Sequence, residues 1–165
     1  MNKEIKTITA DSLTKMAWRT QIIYDEAQRL LSGAKDRLII NIGVVGDILK
    51  KFSENGFNII GADFDASITG QEMFDGVIVE DGKKTLSLLE RADLAVITGM
   101  AITTETIDEI LECSLKNGVK TIVFAETGAN LAGYYVNNGV DVYLSEHFPF
   151  YIFNGFSQID VCRGL

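Results

Sequence analysis

Continuous apolar runs alternate with amphipathic segments along most of the chain. Uncharged runs such as 38–42 and 94–98 are typical of strands that are buried on both faces of a parallel sheet. Segments with apolar residues at helical spacing lie between these runs, and several of them end at a glycine. The pattern predicts six strands, at residues 37–42, 58–62, 76–79, 94–98, 121–124 and 141–144.

The alternation of strands and helices predicts an α/β fold. We expect a Rossmann-like, doubly wound, mainly parallel sheet of about six strands with helices on both faces. Apolar residues recur at helical spacing over residues 10–32, so an N-terminal helix should precede the βα core at 37–144. The pattern predicts no conformation for the aromatic C-terminal tail at 145–165. We interpret the whole chain, 1–165, as a single domain.

The composition excludes several partners. The chain has 165 residues, a formal net charge of −8 and a pI of about 4.6, so its surface should repel nucleic acid and anionic membranes. No apolar run approaches the roughly 20 residues that a transmembrane helix needs. The first residues lack the apolar core of a signal peptide. Cys113 and Cys162 are far apart and in no metal-ligand spacing, which indicates a reduced, cytoplasmic protein.

A glycine turn and an acidic residue indicate where a small molecule would bind. Gly43 follows the first predicted strand and Gly46 opens the next helix. Asp63 ends the second strand, about 20 residues after Gly43, where an acid usually binds the ribose hydroxyls of an adenosine-containing ligand. Asp65 is a second, weaker candidate, and both aspartates can also be read as solvated turn residues.

The turn departs from the dinucleotide fingerprint Gly-x-Gly-x-x-Gly. Val45 and Ile48 occupy the second and third glycine positions, and Gly46 is an offset substitute. Asp47 falls at the start of the helix, where it would repel a diphosphate or would only cap the helix. We therefore favour a phosphate-free ligand, S-adenosylmethionine, over NAD, NADP and FAD. A regulatory domain with a degenerate NAD fingerprint stays an alternative.

Two further loops should lie on the same edge of the sheet, because ligands of doubly wound sheets bind at the carboxyl ends of the strands. Thr98 and Gly99 end the fourth strand, and Glu126, Thr127 and Gly128 follow the fifth. Each of these small or polar residues can also be explained by a turn or a helix cap alone.

The aromatic tail contains the only histidine of the chain. His147 is the candidate catalytic residue, either as a general base or as a hydrogen-bond donor to substrate, although a purely structural histidine is the alternative. The aromatic residues around it suggest core, a lid or a dimer face. A homodimer could form through this tail or through the N-terminal helix.

The segments 92–99 and 104–111 resemble the Rossmann-like C-terminal domain of the putative heavy-metal chelation family, whose function is unknown. The resemblance extends weakly over residues 38–143. It implies a Rossmann-like fold and a non-catalytic module that handles a metal or a cofactor. However, we expect the chain to lack the separate N-terminal domain of that family, and its sequence shows no cluster of metal ligands.

The loop at residues 124–130 and the non-standard glycine turn are similar to those of the S-adenosylmethionine-dependent pyridinol methyltransferases of iron-guanylylpyridinol cofactor biosynthesis. This resemblance implies that Asp63 and the two later loops hold the methyl donor, and that catalysis consists mostly of positioning. Together with a glycine turn that disfavours phosphate, this resemblance predicts that the chain binds an adenosine-containing ligand. It also predicts a methyltransferase-type role in cofactor biosynthesis.

Overall fold

The computed structural model describes residues 1–74 and 76–164, which form one mixed sheet. Within these residues the sheet has nine strands, which are β1 (Asn2–Ala10), β2 (Leu38–Ile42), β3 (Asn58–Asp63), β4 (Glu72–Met73), β5 (Val77–Asp81), β6 (Leu94–Thr98), β7 (Lys120–Ala125), β8 (Val142–Glu146) and β9 (Gly155–Arg163). Their order in the sheet is β1-β9-β8-β7-β6-β2-β3-β5-β4.

Six α-helices accompany the strands in the described part of the chain. They are α1 (Ser12–Leu30), α2 (Gly46–Glu54), α3 (Thr85–Leu89), α4 (Met100–Thr103), α5 (Ile107–Asn117) and α6 (Ala132–Asn137). Short 3₁₀ turns precede α3 and α6. No helix among the described residues is both long and apolar enough to cross a membrane.

The six strands that the apolar runs predict lie side by side and parallel, in the order β8-β7-β6-β2-β3-β5. The predicted total of about six strands is nevertheless wrong. β1, β4 and β9 are additional strands, and each pairs antiparallel with its neighbours. The observed fold is therefore a mixed α/β sheet with an antiparallel extension at each side.

The two ends of the chain pair with each other. All nine residues of β1 pair with β9, and β9 also pairs with β8, so the N-terminal strand and the tail extend the sheet together. The sequence pattern predicted neither strand. In the tail, residues 147–154 form a loop. Asp75 and Leu165 lie outside the described residues.

The core has two layers, one on each face of the sheet. Along β6, Leu94 and Val96 belong to one apolar cluster and Ala95 and Ile97 to the other, because successive side chains of a strand point to opposite faces. The first cluster includes buried residues of α1 and α2, and the second includes those of α3, α5 and α6. The expected helices on both faces are present.

Helix α1 packs against α2 and β7. Asp11 caps its start by accepting a hydrogen bond from the Thr14 backbone N–H at 2.9 Å. Near this end, Trp18 stacks on Phe150 of the tail, with ring centroids 6.4 Å apart. The buried Lys15 side chain donates to the Phe153 carbonyl at 2.6 Å. The first half of α1 therefore holds the tail loop in place.

Candidate functional site

A cavity of about 580 Å³ opens at the carboxyl ends of five parallel strands. The last residues of β2, β3, β6 and β8 contribute to its wall, together with the end of β7. In the sheet, β3 and β5 lie on one side of β2, and β6, β7 and β8 lie on its other side. The cavity thus lies at the switch in strand order, where open α/β sheets bind their ligands.

The glycine turn before α2 depends on close contact with β6. Gly43 has a φ of +74°, and a Cβ at this position would lie 2.5 Å from Thr98 Oγ1. Only glycine meets both requirements without strain. Thr98 Oγ1 in turn accepts a hydrogen bond from the Met100 N–H at 3.2 Å. Gly43 and Thr98 therefore form one packed unit in the cavity wall.

Three consecutive backbone N–H groups of this turn are already bonded within the protein. Gly43 N donates to the Ala62 carbonyl at 2.9 Å, and Val44 N donates to Asp63 Oδ2 at 2.7 Å. Val45 N donates to Asn41 Oδ1 at 2.9 Å. In a dinucleotide-binding turn such groups approach the pyrophosphate. Here they are not free to do so.

Asn41 is a structural residue of the site that the sequence analysis missed. It is fully buried in the middle of β2, and its amide also donates to the Val96 carbonyl at 3.1 Å. Buried polar side chains in strands need partners, and the partners here include the turn itself. Its isolation within the otherwise apolar run 38–42 was the available signal.

Asp63 ends β3 and is half-buried in the cavity wall. Its second oxygen, Oδ1, accepts a hydrogen bond from the Asp65 N–H at 2.9 Å. Asp65 is exposed and outside the lining, and hydrogen bonds from Ser67 hold the pKa of its carboxyl below the ordinary value. Asp63 thus faces the cavity while it also braces the glycine turn, and Asp65 only shapes the loop.

The loops after β6 and β7 meet over the sheet. A Cβ on Gly99 would lie 2.8 Å from both the Ala125 side chain and the Thr127 carbonyl oxygen, so these loops touch because residue 99 is glycine. Gly99, Glu126 and Thr127 line the cavity. Gly128 does not, and it instead adopts a φ of +82° and accepts a hydrogen bond from the Tyr143 hydroxyl at 2.7 Å.

A charged cluster lies at the β7–β8 end of the cavity. Arg19 of α1 forms an ion pair with Glu146, with Nη1 to Oε1 at 3.1 Å, and both side chains are almost completely buried. The Arg19 guanidinium also lies 5.0 Å from the ring centre of Phe124. Burial raises the pKa of Glu146, Arg19 opposes that rise, and the negative charge of Glu126 adds to it.

Two buried polar atoms of this cluster have no hydrogen-bond partner among residues 1–74 and 76–164. They are Nε of Arg19, a donor, and Oε2 of Glu126, an acceptor. The sequence analysis named Glu126 but not Arg19, which lies off the apolar stripe of its helix. Its partner Glu146 is 127 positions away in the chain, so no local signal could have found it.

The candidate catalytic residue lies elsewhere. His147 is about half exposed and outside the cavity lining, with its Nε2 2.9 Å from Asp160 Oδ2. Lys3 contacts the same oxygen at 2.6 Å. Burial raises the pKa of Asp160, but hydrogen bonds from Lys3, His147 and Gln158 lower it by more. The structure thus shows His147 hydrogen-bonded to Asp160 of β9, whose carboxylate also forms an ion pair with Lys3 of β1.

The predicted residues divide into two groups. The cavity brings together Gly43, Asp63, Thr98, Gly99, Glu126 and Thr127. Gly46, Asp47, Asp65, Gly128 and His147 do not line it. Asp47 is exposed in the first turn of α2, where a negative charge is favourable, but Val45 occupies the N-cap position.

Comparison with known proteins identifies the family. The sequence profile of a domain family described as putative heavy-metal chelation (DUF364) matches residues 26–130, more than half of the chain. The chain belongs to this family. Solved proteins of the family are described as having unknown function. No curated protein matches the sequence.

Two solved structures of DUF364 proteins resemble this fold. The protein from Pyrococcus horikoshii has a TM-score of 0.60 and 13% identity, over 76% of this chain and 55% of its own length. The protein from Desulfitobacterium hafniense has a TM-score of 0.56 and 14% identity, over 75% of this chain and 52% of its own. The chain therefore matches about half the length of these family members.

A more distant similarity adds nothing to the assignment. The methyltransferase MycE, solved with Mg, S-adenosylhomocysteine and mycinamycin VI, has 13% identity and a TM-score of 0.49, over 94% of this chain and 49% of its own length. At these values the similarity supports neither fold nor function.

The family description implies a metal, but the donor atoms do not fit one. Across 1–74 and 76–164, no group of three or more histidine, cysteine, aspartate or glutamate residues comes together in a way that could hold a metal ion. The cavity acids Asp63 and Glu146 are engaged by backbone N–H groups and by Arg19, respectively.

Proposed function

We propose that this chain binds an adenosine-containing small molecule, with S-adenosylmethionine favoured, in the cavity at the carboxyl ends of the parallel strands. The observation that carries the proposal is the position of Asp63, which ends β3 and lies in the cavity wall beside the switch in strand order. The order β5-β3-β2-β6-β7-β8 of the parallel strands is that of Rossmann-like nucleotide-binding sheets, in which this acid binds ribose hydroxyls.

Two features of the cavity argue against phosphate-bearing ligands. The N–H groups of Gly43, Val44 and Val45 are engaged by the protein itself. The described lining residues include three acids, Asp63, Glu126 and Glu146, and one base, Arg19. A diphosphate would meet repulsion there, whereas a positively charged sulfonium would be attracted.

A methyltransferase-type role in cofactor biosynthesis extends the same proposal. The chain would hold the sulfonium methyl group close to an acceptor atom of a second molecule, so that positioning supplies most of the rate. His147 has no part in this scheme, because its imidazole is paired with Asp160 outside the cavity.

Family membership favours an alternative, which is a non-catalytic module that handles a metal or a cofactor. It predicts that the purified chain retains a transition metal after dialysis against a weak chelator. Elemental analysis by inductively coupled plasma mass spectrometry would measure the metal content. A stoichiometric metal would favour this alternative, and a metal-free protein that binds the adenosine ligand would favour the main proposal.

Isothermal titration of the purified chain with S-adenosylhomocysteine and with NAD tests the main proposal. We expect micromolar binding of the first ligand and none of the second. NAD binding would contradict the phosphate argument and favour the degenerate regulatory domain. Binding of neither ligand would refute the proposal.

The test of Asp63 must separate its proposed contact with the ribose from its structural role in the glycine turn. With the wild-type protein, adenosine should bind at least about tenfold more tightly than 2′,3′-dideoxyadenosine, because two hydroxyl hydrogen bonds are lost. Asp63→Asn should remove this preference, and the matched control Asp65→Asn should keep it. Equal affinities of the wild type for both nucleosides would show that Asp63 does not bind ribose.

A further inference from the structure

The charges at the β7–β8 end of the cavity do not balance. Arg19 and Glu146 neutralise each other across 3.1 Å, and Glu126 contributes a further carboxylate. Arg19 is the only lysine or arginine among the described lining residues. This end of the cavity therefore has one excess negative charge, which favours a cationic group.

Two buried atoms at this end of the cavity lack a hydrogen-bond partner among the described residues, and one of them is a donor while the other is an acceptor. Arg19 is 6% exposed, yet its Nε has no acceptor within the described part of the chain. Glu126 Oε2 likewise has no donor there. A buried polar group without a partner costs about 1–3 kcal/mol, so a ligand that supplies both an acceptor and a charged donor would relieve both penalties.

The geometry points to a subsite for an α-amino-acid group, whose ammonium contacts Glu126 and whose carboxylate oxygen accepts a hydrogen bond from Arg19 Nε. This inference rests on the proposed function, because the amino-acid group belongs to the adenosine ligand. Asp63 and Glu126 follow strands that are three places apart in the sheet, roughly 14 Å at the usual strand spacing. Adenosine at Asp63 would thus extend its 5′ substituent across β2 and β6 toward this cluster.

Other ligand groups fit this subsite less well. A phosphate would face the Glu126 carboxylate, and a simple amine would leave Arg19 Nε without an acceptor. An apolar group would leave both buried atoms unpaired. A zwitterion is the small group that satisfies both atoms at once.

Two thioethers that differ in this group and in the methylene that carries it test the inference. S-adenosylhomocysteine contains the amino-acid group, and 5′-methylthioadenosine is the same thioadenosine without it. By isothermal titration of the wild-type chain, we expect the first to bind at least about tenfold more tightly, as the loss of one charged hydrogen bond would give. This comparison needs no variant, so a folding defect cannot obscure it.

Glu126→Gln then assigns the preference to the subsite. This isosteric variant should weaken S-adenosylhomocysteine at least about tenfold and leave methylthioadenosine unchanged. Glu112→Gln is the matched control, because it removes one exposed negative charge of α5 outside the cavity, and it should leave both affinities unchanged.

The outcomes separate this inference from the proposed function. Equal wild-type affinities for the two thioethers, or an unchanged affinity of Glu126→Gln for S-adenosylhomocysteine, would overturn the subsite while adenosine binding stands. Binding of neither thioether would overturn both. Tighter S-adenosylhomocysteine binding that only Glu126→Gln abolishes would support both.

Discussion

Replacing Gly43 by alanine introduces two separate penalties at the turn that forms the cavity wall. The φ of +74° lies in the left-handed region, which costs an L residue about 1–2 kcal/mol. The new Cβ would also lie 2.5 Å from Oγ1 and 3.0 Å from Cγ2 of Thr98, and overpacking of this kind costs about 1–3 kcal/mol. We therefore expect Gly43→Ala to lower the free energy of unfolding by about 2–5 kcal/mol.

Gly33 provides a control for the backbone penalty alone. It has the same φ of +74°, but a Cβ there would meet nothing within 4 Å. Gly33→Ala should thus lower the free energy of unfolding by about 1–2 kcal/mol. Urea denaturation followed by circular dichroism would measure both variants, and the difference between them reports the contact with Thr98.

A second substitution tests whether that difference comes from Thr98. Thr98→Ala removes the two atoms that the new Cβ would approach most closely, so it should restore part of the stability lost by Gly43→Ala. We expect a coupling free energy of at least about 1 kcal/mol in the double-mutant cycle. Equal losses for the Gly43 and Gly33 variants, together with additive effects in the cycle, would refute this reasoning.

Three further substitutions test other contacts. Asn41→Leu should lower the free energy of unfolding by about 1–3 kcal/mol, because it leaves the partly buried Val45 N–H without its acceptor; a urea midpoint equal to that of the wild type would contradict this. Lys15→Met should accelerate proteolytic cleavage of the tail loop, because it removes the hydrogen bond to the Phe153 carbonyl, and an unchanged cleavage rate would show that other contacts hold the loop. Asp160 has a pKa below its unfolded value, so its contribution is present above about pH 4 and is lost as the pH falls through the folded pKa. The unfolding free energy of the wild type should therefore decrease faster than that of Asp160→Asn between about pH 4 and pH 2 in urea titrations, and parallel pH profiles would contradict this.

The parallel strands β2, β6, β7 and β8 were predictable because they are buried on both faces. Runs such as 38–42 and 94–98 contain no charged residue, and helices on both faces of the sheet bury them. The glycine turn and the acid at the end of β3 were equally visible, because both belong to one local βαβ unit. The edge of the sheet where the cavity lies could thus be inferred from local pattern alone.

The antiparallel strands were not predictable in this way. β1 has polar residues at Lys3, Glu4 and Lys6 and is exposed along most of its length, so it lacks an apolar run. It is a strand because it pairs with β9 at the other end of the chain. Its partner lies at the other end of the chain, so neither segment alone indicates the pairing, and the tail could not be assigned for the same reason.

The role of Arg19 shows how the missed pairing affects the site. Because β9 lies beside β8 and β1 lies beside β9, the chain enters α1 close to the carboxyl ends of β7 and β8. This entry places α1, which precedes the parallel strands, over the edge where the cavity lies, and Arg19 then reaches Glu146. The electrostatics of the cavity are therefore determined by the N-terminal β-strand and helix as much as by the half of the sheet that contains Gly43 and Asp63. A search for function that is restricted to residues 26–130, the part that the family profile matches, would omit both Arg19 and Glu146.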